Sequence, residues 1–180
     1  MAKALGVQYQ YYRVLRLDLR DQPAQASSPP PGLQFEAVDE SGVRASLDPE
    51  IRDTATFAGR GAMAFALLQG SRIVCLQWYW VDERLRDNEF WTIGSRTAAS
   101  EHLVTVVDCR SRGYATALKQ LTAVRMGNLG YETLLSRVWW SNCASLRVSA
   151  KAGWQRVGTS LSLSVPWRSR PMEWRWVERP

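Results

Sequence analysis

The chain has 180 residues, 46% of them hydrophobic and 22% charged, enough apolar material for one buried core and too much for a disordered segment. Its longest apolar run, Ile73 to Val81, is broken by Gln77 and falls short of the roughly 18 residues a membrane-spanning helix needs, so no membrane span is expected. A net charge of +6 and a pI near 9.6 point to an anionic partner, and charge alone does not choose among nucleic acid, a membrane surface, an acidic carrier protein and a phosphorylated cofactor.

The first residues, Met1 to Gly6, lack the long apolar stretch of a secretory leader. Leu15 to Arg20 alternates apolar and polar residues as a half-buried strand does. Residues 21–33 are rich in Pro, Ser, Gln and Ala, with Pro29 to Pro31 in a row, and read as a loop inside one domain that spans 1–180. At Asp48-Pro49-Glu50-Ile51 a capping Asp, a Pro at the first helical position and an acidic first turn predict a helix start.

Two strand-like runs follow, Met63 to Leu68 and Ile73 to Val81, and the Gly70 turn between them predicts a hairpin. Leu103 to Val107 is short and β-branched, a buried strand. From Gly113 to Leu129 the period changes to that of a helix, with Tyr114, Ala117, Leu118, Leu121 and Val124 on one face and Gly130 as the stop. Thr133 to Trp140 predicts another strand. A short helix from Cys143 to Ala152, capped by Ser141 or Asn142 and stopped by Gly153, comes next. Strands at Thr159 to Val165 and Met172 to Val177 end the chain. The order predicts a mixed α/β fold with a largely antiparallel sheet. Three cysteines, Cys75, Cys109 and Cys143, lie far apart and odd in number, which suits reduced thiols and a cytoplasmic protein.

The segment Arg110-Ser111-Arg112-Gly113-Tyr114-Ala115 joins a β-branched strand directly to an amphipathic helix. The first helical turn leaves backbone N–H groups unpaired at the positive end of the helix dipole, so it attracts anions. Gly113 and Ala115 leave the backbone bare for a pyrophosphate, and Arg110 and Arg112 add charge beside it. Downstream, Asn142-Cys-Ala-Ser145 leads into Lys151-Ala-Gly153-Trp154. Together these segments resemble the two signatures of the GNAT (Gcn5-related N-acetyltransferase) family: the Gln/Arg-x-x-Gly-x-Gly/Ala coenzyme A loop and the Asn-x-x-Ser/Ala helix that follows it. The likeness covers Ala62 to Val165 and hardly touches the first sixty residues.

The resemblance implies a central, largely antiparallel twisted sheet with a splayed strand pair, flanked by helices. It implies an N-acyltransferase, in most such proteins an N-acetyltransferase, that moves an acyl group from acetyl-coenzyme A or another acyl-coenzyme A to an amine by direct attack in a ternary complex, with no metal. In it the backbone of Val104, Thr105, Val106 and Val107 pairs with pantetheine, Arg110 to Ala115 hold the pyrophosphate, and Asn142 and Ser145 face the pantetheine or sulfur end; simple helix capping is the other reading of that last pair. A backbone N–H near Val104 to Val106 would stabilise the oxyanion. The family's usual proton donor, a Tyr seven residues after the Asn, is replaced here by Ser149. The stretch from Ser145 is closer to the branch that acetylates protein N-termini and small amines, which makes Ser145 or Ser149 the candidate donor. Glu101, His102 and Asp108 flank the strand, and His102, the only histidine, has the pKa best suited to a base, though a structural role and a water chain remain alternatives. The acceptor is then a small-molecule amine or a protein N-terminal or lysine amine, and a homodimer stays open. A non-catalytic acyl-coenzyme A binding module and an enzyme that takes its acyl group from acyl carrier protein are the other readings.

Gly59-Arg-Gly61-Ala-Met-Ala64 matches a dinucleotide fingerprint in letters but precedes a strand, the reverse of the context such a site needs. No Cys/His cluster has metal spacing. Cys109 as an acyl-cysteine is set aside in favour of an ordinary thiol at a strand end. The arginines are too scattered for nucleic acid to be expected. Of nine tryptophans, Trp78, Trp80, Trp91, Trp139 and Trp140 fall toward the acceptor side with Tyr79, and alternation sends about half of such residues to the core. Acceptor choice is expected to rest on Gln34 to Gly61 and Asp82 to Ser100.

Overall fold

The computed structural model describes residues 7–20, 28–87 and 94–177. Trp91 and part of the Pro-rich loop lie outside them. In chain order the elements are β1 (Gln8–Asp18), β2 (Gln34–Val38), α1 (Glu40–Arg44), α2 (Pro49–Arg52), β3 (Ala62–Gln69), β4 (Arg72–Trp80), α3 (Asp82–Asp87), β5 (Thr97–Thr105), α4 (Tyr114–Asn128), β6 (Thr133–Trp139), α5 (Cys143–Lys151), β7 (Gln155–Ser164) and β8 (Met172–Val177). The mixed α/β class is as the sequence predicts, with every strand pairing described below antiparallel. The strand order is β2-β3-β4-β5-β6-β1-β7-β8.

The chain divides into two compact units, a larger one of Leu17–Leu135 and a smaller one of Met1–Arg16 with Ser136–Pro180. In the larger, β2, β3, β4 and β5 form a meander. β4 is buried on both sides, and the hydrogen-bond partners of its side chains assign its faces. Tyr79 and Gln77 reach Thr122 of α4, while Trp78 on the other face donates its indole N–H to Thr54 Oγ1 at 3.0 Å. Trp80, on the same face as Trp78, donates to the Phe57 carbonyl at 3.1 Å. The helical turns around Thr54 and Phe57 therefore cover one face of the meander, and α4 covers the other.

The buried face of α4 is Leu118, Lys119, Leu121, Thr122, Ala123 and Met126, not the face through Val124, which is 41% exposed. The reason is polar. Gln77 is fully buried, its Nε2 donates to Ser100 Oγ at 2.6 Å, and its Oε1 lies 3.2 Å from Thr122 Oγ1, which also lies 2.9 Å from the Tyr79 hydroxyl. A buried amide leaves α4 little choice but to turn a hydroxyl toward it. Lys119 shares that face, 3% exposed, and burial pushes its ammonium pKa down to about 7.

Several elements depart from their expected bounds. β1 begins at Gln8, and β2 and α1 arise where no element is expected. β5 begins at Thr97 and ends at Thr105, so Val107 lies in the 3-10 turn Val107–Cys109. Asp48 heads α2 but makes no side-chain cap, because its carboxylate is taken by Arg72. Gly61 serves packing: a Cβ there would come within 2.8 Å of the Val81 carbonyl.

In the smaller unit β1 pairs with β7 and β7 with β8. Asn142 caps α5, its Oδ1 accepting the Ser145 N–H at 3.0 Å.

The four-membered network of the larger unit makes a direct prediction. Thr122→Val keeps shape and removes the hydroxyl, leaving Gln77 Oε1 without that partner, and should cost about 1–3 kcal/mol of stability, read by urea unfolding. Unchanged stability would show that the network is not energetically coupled.

Candidate functional site

The candidate residues fall into two groups. His102, Val104 to Val107 and Arg110 to Ala115 lie in the larger unit; Asn142, Ser145 and Ser149 lie in the smaller.

Within the larger unit the pairing of β4 with β5 is irregular. Tyr79 pairs with Ser100 and Gln77 with Leu103, so Glu101 and His102 together face Trp78 alone. This is a β-bulge, a device that re-aims side chains. It sends Ser100 into the buried network and His102 to the other face, where the imidazole stacks on Phe57 at 4.7 Å and 23°. Burial lowers the His102 pKa below 6.5, so the ring is neutral near pH 7 and able to accept a proton.

Past the bulge, Thr105 Oγ1 lies 3.1 Å from Cys75 Sγ, and burial pushes the Cys75 thiol up to about 12. The Val106 N–H donates to the Val74 carbonyl at 3.1 Å, the last strand-like bond before the chain turns. Arg110 Nε then donates to the Thr105 carbonyl and an Arg112 N–H to the Asp108 carbonyl, each at 3.0 Å. Ser111 has φ +62° and Gly113 φ +81°, a left-handed pair of positions that folds the loop into the start of α4. The first intrahelical bond runs from Ala117 N–H to the Gly113 carbonyl at 3.0 Å, so the amides of Tyr114, Ala115 and Thr116 precede it. A Cβ on Gly113 would meet nothing within 4 Å. The turn thus offers first-turn amides, two guanidiniums and open space in one place.

Sequence reasoning missed what anchors this turn. The Arg72 guanidinium grips the Asp48 carboxylate at 2.7 and 2.9 Å and the Asp108 carboxylate at 2.8 and 3.0 Å. Arg72 holds both carboxyl groups below the usual carboxylate range. Asp108 is therefore a poor base. No spacing announces such a clamp, since its partners are 24 and 36 residues from Arg72. Cys109 is 3% exposed, too buried for a thiol that must meet an acyl donor.

In the smaller unit, Asn142 is exposed and Ser145 half-buried one turn into α5. Ser149, one turn further on the same face, is 1% exposed, and its Oγ has no hydrogen-bond partner among the described residues. Accessibility therefore favours Ser145 as the group able to meet a ligand. No group of three or more metal-ligating side chains occurs among the described residues.

No protein-family model matches the sequence, and no curated protein matches it. Among solved structures, the fold is similar to a GCN5-related N-acetyltransferase from Kribbella flavida, with TM-score 0.60 and 14% identity over 90% of this chain and 61% of that one. It is also similar to a GCN5-related N-acetyltransferase from Sphaerobacter thermophilus, with TM-score 0.58 and 15% identity over 91% and 54%. A tandem GNAT protein from the clavulanic acid biosynthesis pathway aligns with TM-score 0.57 and 18% identity over 98% of this chain and 55% of its own. The chain spans about half the length of the last two. These likenesses establish a GNAT-like fold.

Because the chain has one histidine, its titration can be read alone by proton NMR. The His102 midpoint should lie below 6.5. Its neutral form is favoured by folding, so the stability contribution is complete above 6.5 and is lost as pH falls through the folded pKa. A midpoint above 6.5 would contradict the buried, Phe57-stacked placement.

Proposed function

We propose that the chain is an acyl-coenzyme A-dependent N-acyltransferase of the GNAT family, its 180 residues forming one such domain. The observation that carries this reading is the turn from β5 into α4. Arg-x-x-Gly-x-Ala stands at a strand-to-helix junction, with Gly113 left-handed and open on the side where a Cβ would be, in a fold of GNAT type. First-turn amides and guanidiniums that already donate to carbonyls form a cradle for pyrophosphate oxygens.

In this reading the backbone of Val104 to Val107 takes the pantetheine arm as a further strand would, and Arg110 to Ala115 take the pyrophosphate. Asn142 and Ser145 serve the sulfur end. A bound amine attacks the thioester carbonyl, its C–N bond forms, and the tetrahedral oxyanion is met by a backbone N–H near Val104 to Val106. The C–S bond then breaks, and the departing thiolate takes a proton from Ser145, whose hydroxyl is restored by the second proton that the attacking nitrogen sheds as it becomes an amide. Before the attack, the ammonium form of the acceptor gives its first proton to water or to neutral His102. The acceptor is a small-molecule amine or a protein N-terminal or lysine amine, in the manner of the branch acting on N-termini and small amines, and the protein works in the cytoplasm.

Calorimetric titration with acetyl-coenzyme A tests the reading. Binding at micromolar concentration is expected for the wild type and none for Gly113→Glu, whose side chain enters the open space and adds a carboxylate. Folding of the variant is checked by circular dichroism. Failure of both acetyl- and longer acyl-coenzyme A to bind the wild type overturns the reading and turns attention to acyl carrier protein. Binding without thiol release across an amine panel identifies a non-catalytic module. In an active protein, Ser145→Ala should lower kcat about tenfold or more with KM little changed, whereas Ser149→Ala should leave kcat nearly unaltered.

A further inference from the structure

Asp108 stands where an acid is out of place. Between Glu101 and Glu132 it is the only acidic residue, and it directly precedes the turn whose Arg110 and Arg112 flank the start of α4. An Arg112 N–H donates to the Asp108 carbonyl at 3.0 Å, so the carboxylate of the same residue is within a side-chain rotation of that guanidinium. A guanidinium binds a carboxylate more strongly than a neutral carbonyl, so an Asp108 left to itself would draw Arg112 onto its side chain. The captured arginine would then meet an incoming anion with its charge cancelled.

In the folded chain that carboxylate is occupied elsewhere. Both of its oxygens accept from Arg72, Oδ2 from Nη1 at 2.8 Å and Oδ1 from Nη2 at 3.0 Å. Arg72 is fixed in turn by Asp48, with Nε donating at 2.9 Å and Nη2 at 2.7 Å, and the Asp48 side chain is only 18% exposed. Exposed ion pairs usually contribute little, because two flexible side chains must be held in one geometry. A fork that meets two carboxylates through four hydrogen bonds is the exception. All three nitrogens of Arg72 are engaged, and one guanidinium between two carboxylates sums to a charge of −1, so Arg72 is not itself a receptor for an anion. Its effect on the turn must pass through Asp108.

We propose that Arg72 is a positioning residue for the anion cradle: by holding the Asp108 carboxylate it keeps that group off Arg112 and leaves the Arg112 guanidinium to the pyrophosphate of the acyl donor. The inference takes its ligand from the acyl-coenzyme A reading and its geometry from the bonds of Arg72 and Arg112. Arg110 is outside the competition, since its Nε donates to the carbonyl of Thr105, a residue with no acid to offer.

Calorimetric titration of acetyl-coenzyme A into the wild type, Arg72→Gln, Asp108→Asn and the double variant tests it, with each melting temperature measured alongside. Arg72→Gln should weaken binding about tenfold, the scale of one hydrogen bond to a charged group. In the Asp108→Asn background the same substitution should cost less than about threefold, because no carboxylate remains to capture Arg112. Arg72→Lys keeps the charge and loses the fork, so it should show the same pattern at smaller size, and it serves if Arg72→Gln melts below the assay temperature. A clamp that merely braces the loop would give the full loss in both backgrounds, and that result overturns the inference. Unchanged affinity in Arg72→Gln overturns it too. The free protein supplies a second reading. The side-chain N–H signals of Arg112 in nitrogen-15 NMR, assigned through Arg112→Lys, should shift in Arg72→Gln and return in the double variant. Absence of that shift overturns the inference whatever the ligand. A wild type that binds no acyl-coenzyme A, yet shows the shift and its reversal, would overturn the acyltransferase reading and leave the control of Arg112 by Arg72 supported.

Discussion

The Arg72 guanidinium, held between Asp48 and Asp108, ties three separate pieces of the larger unit: the start of α2, the β3–β4 turn and the loop that leaves β5. The loop has few other means of staying in place, since its residues 110–113 are exposed and its chain must reverse through two left-handed positions before α4 can begin. A planar fork that meets two carboxylates edge-on fixes direction as well as distance, which a lysine at the same position would not do. The clamp also sorts the loop's charges. Arg72 is matched by two carboxylates, whereas Arg110 and Arg112 bond to carbonyl oxygens, which hold a guanidinium without neutralising it. Positive charge is thereby kept at the mouth of α4 and cancelled beside it.

A second constraint, the bulge at Glu101 and His102, divides β5 between the two faces of the sheet. Without it, strict alternation would put Ser100 and His102 on one face. With it, Ser100 completes the buried contacts of Gln77, and His102 stacks on Phe57 across the sheet. The same irregularity therefore satisfies a fully buried amide and turns the one histidine away from α4. Loss of the bulge would cost both at once, because Gln77 has no solvent to fall back on.

The sequence was legible where physics is local. The Gly70 turn set the β3–β4 hairpin, the change from period two to period 3.6 marked α4, and Asn142 was readable as a cap because a cap is a contact over three residues. It was misread where a local signal meets a distant partner. Asp48 has the form of an N-cap and is spent on a residue 24 positions away. The apolar spacing through Val124 is sound helix arithmetic, yet α4 turns its Lys119 and Thr122 inward because β4 carries a buried glutamine. β2 and α1 went unseen since their exposed residues show little periodicity. Of the candidate site, the loop was plain from its glycine and its position, and the anchor of the loop was not.

The division of charge answers a question that the net value leaves open. A total of +6 could be read as the counterpart of a phosphorylated cofactor, but the unit that carries the Arg110–Ala115 loop is net negative. In the proposed function the loop's hold on phosphate rests on short-range contacts, amides and two guanidiniums within a turn, since exposed charges further off than about 8 Å are screened at physiological salt. The basic excess lies instead with the smaller unit, which holds 11 of the 23 Lys and Arg residues and 2 of the 17 Asp and Glu residues. Positive charge so concentrated raises the cost of folding through self-repulsion.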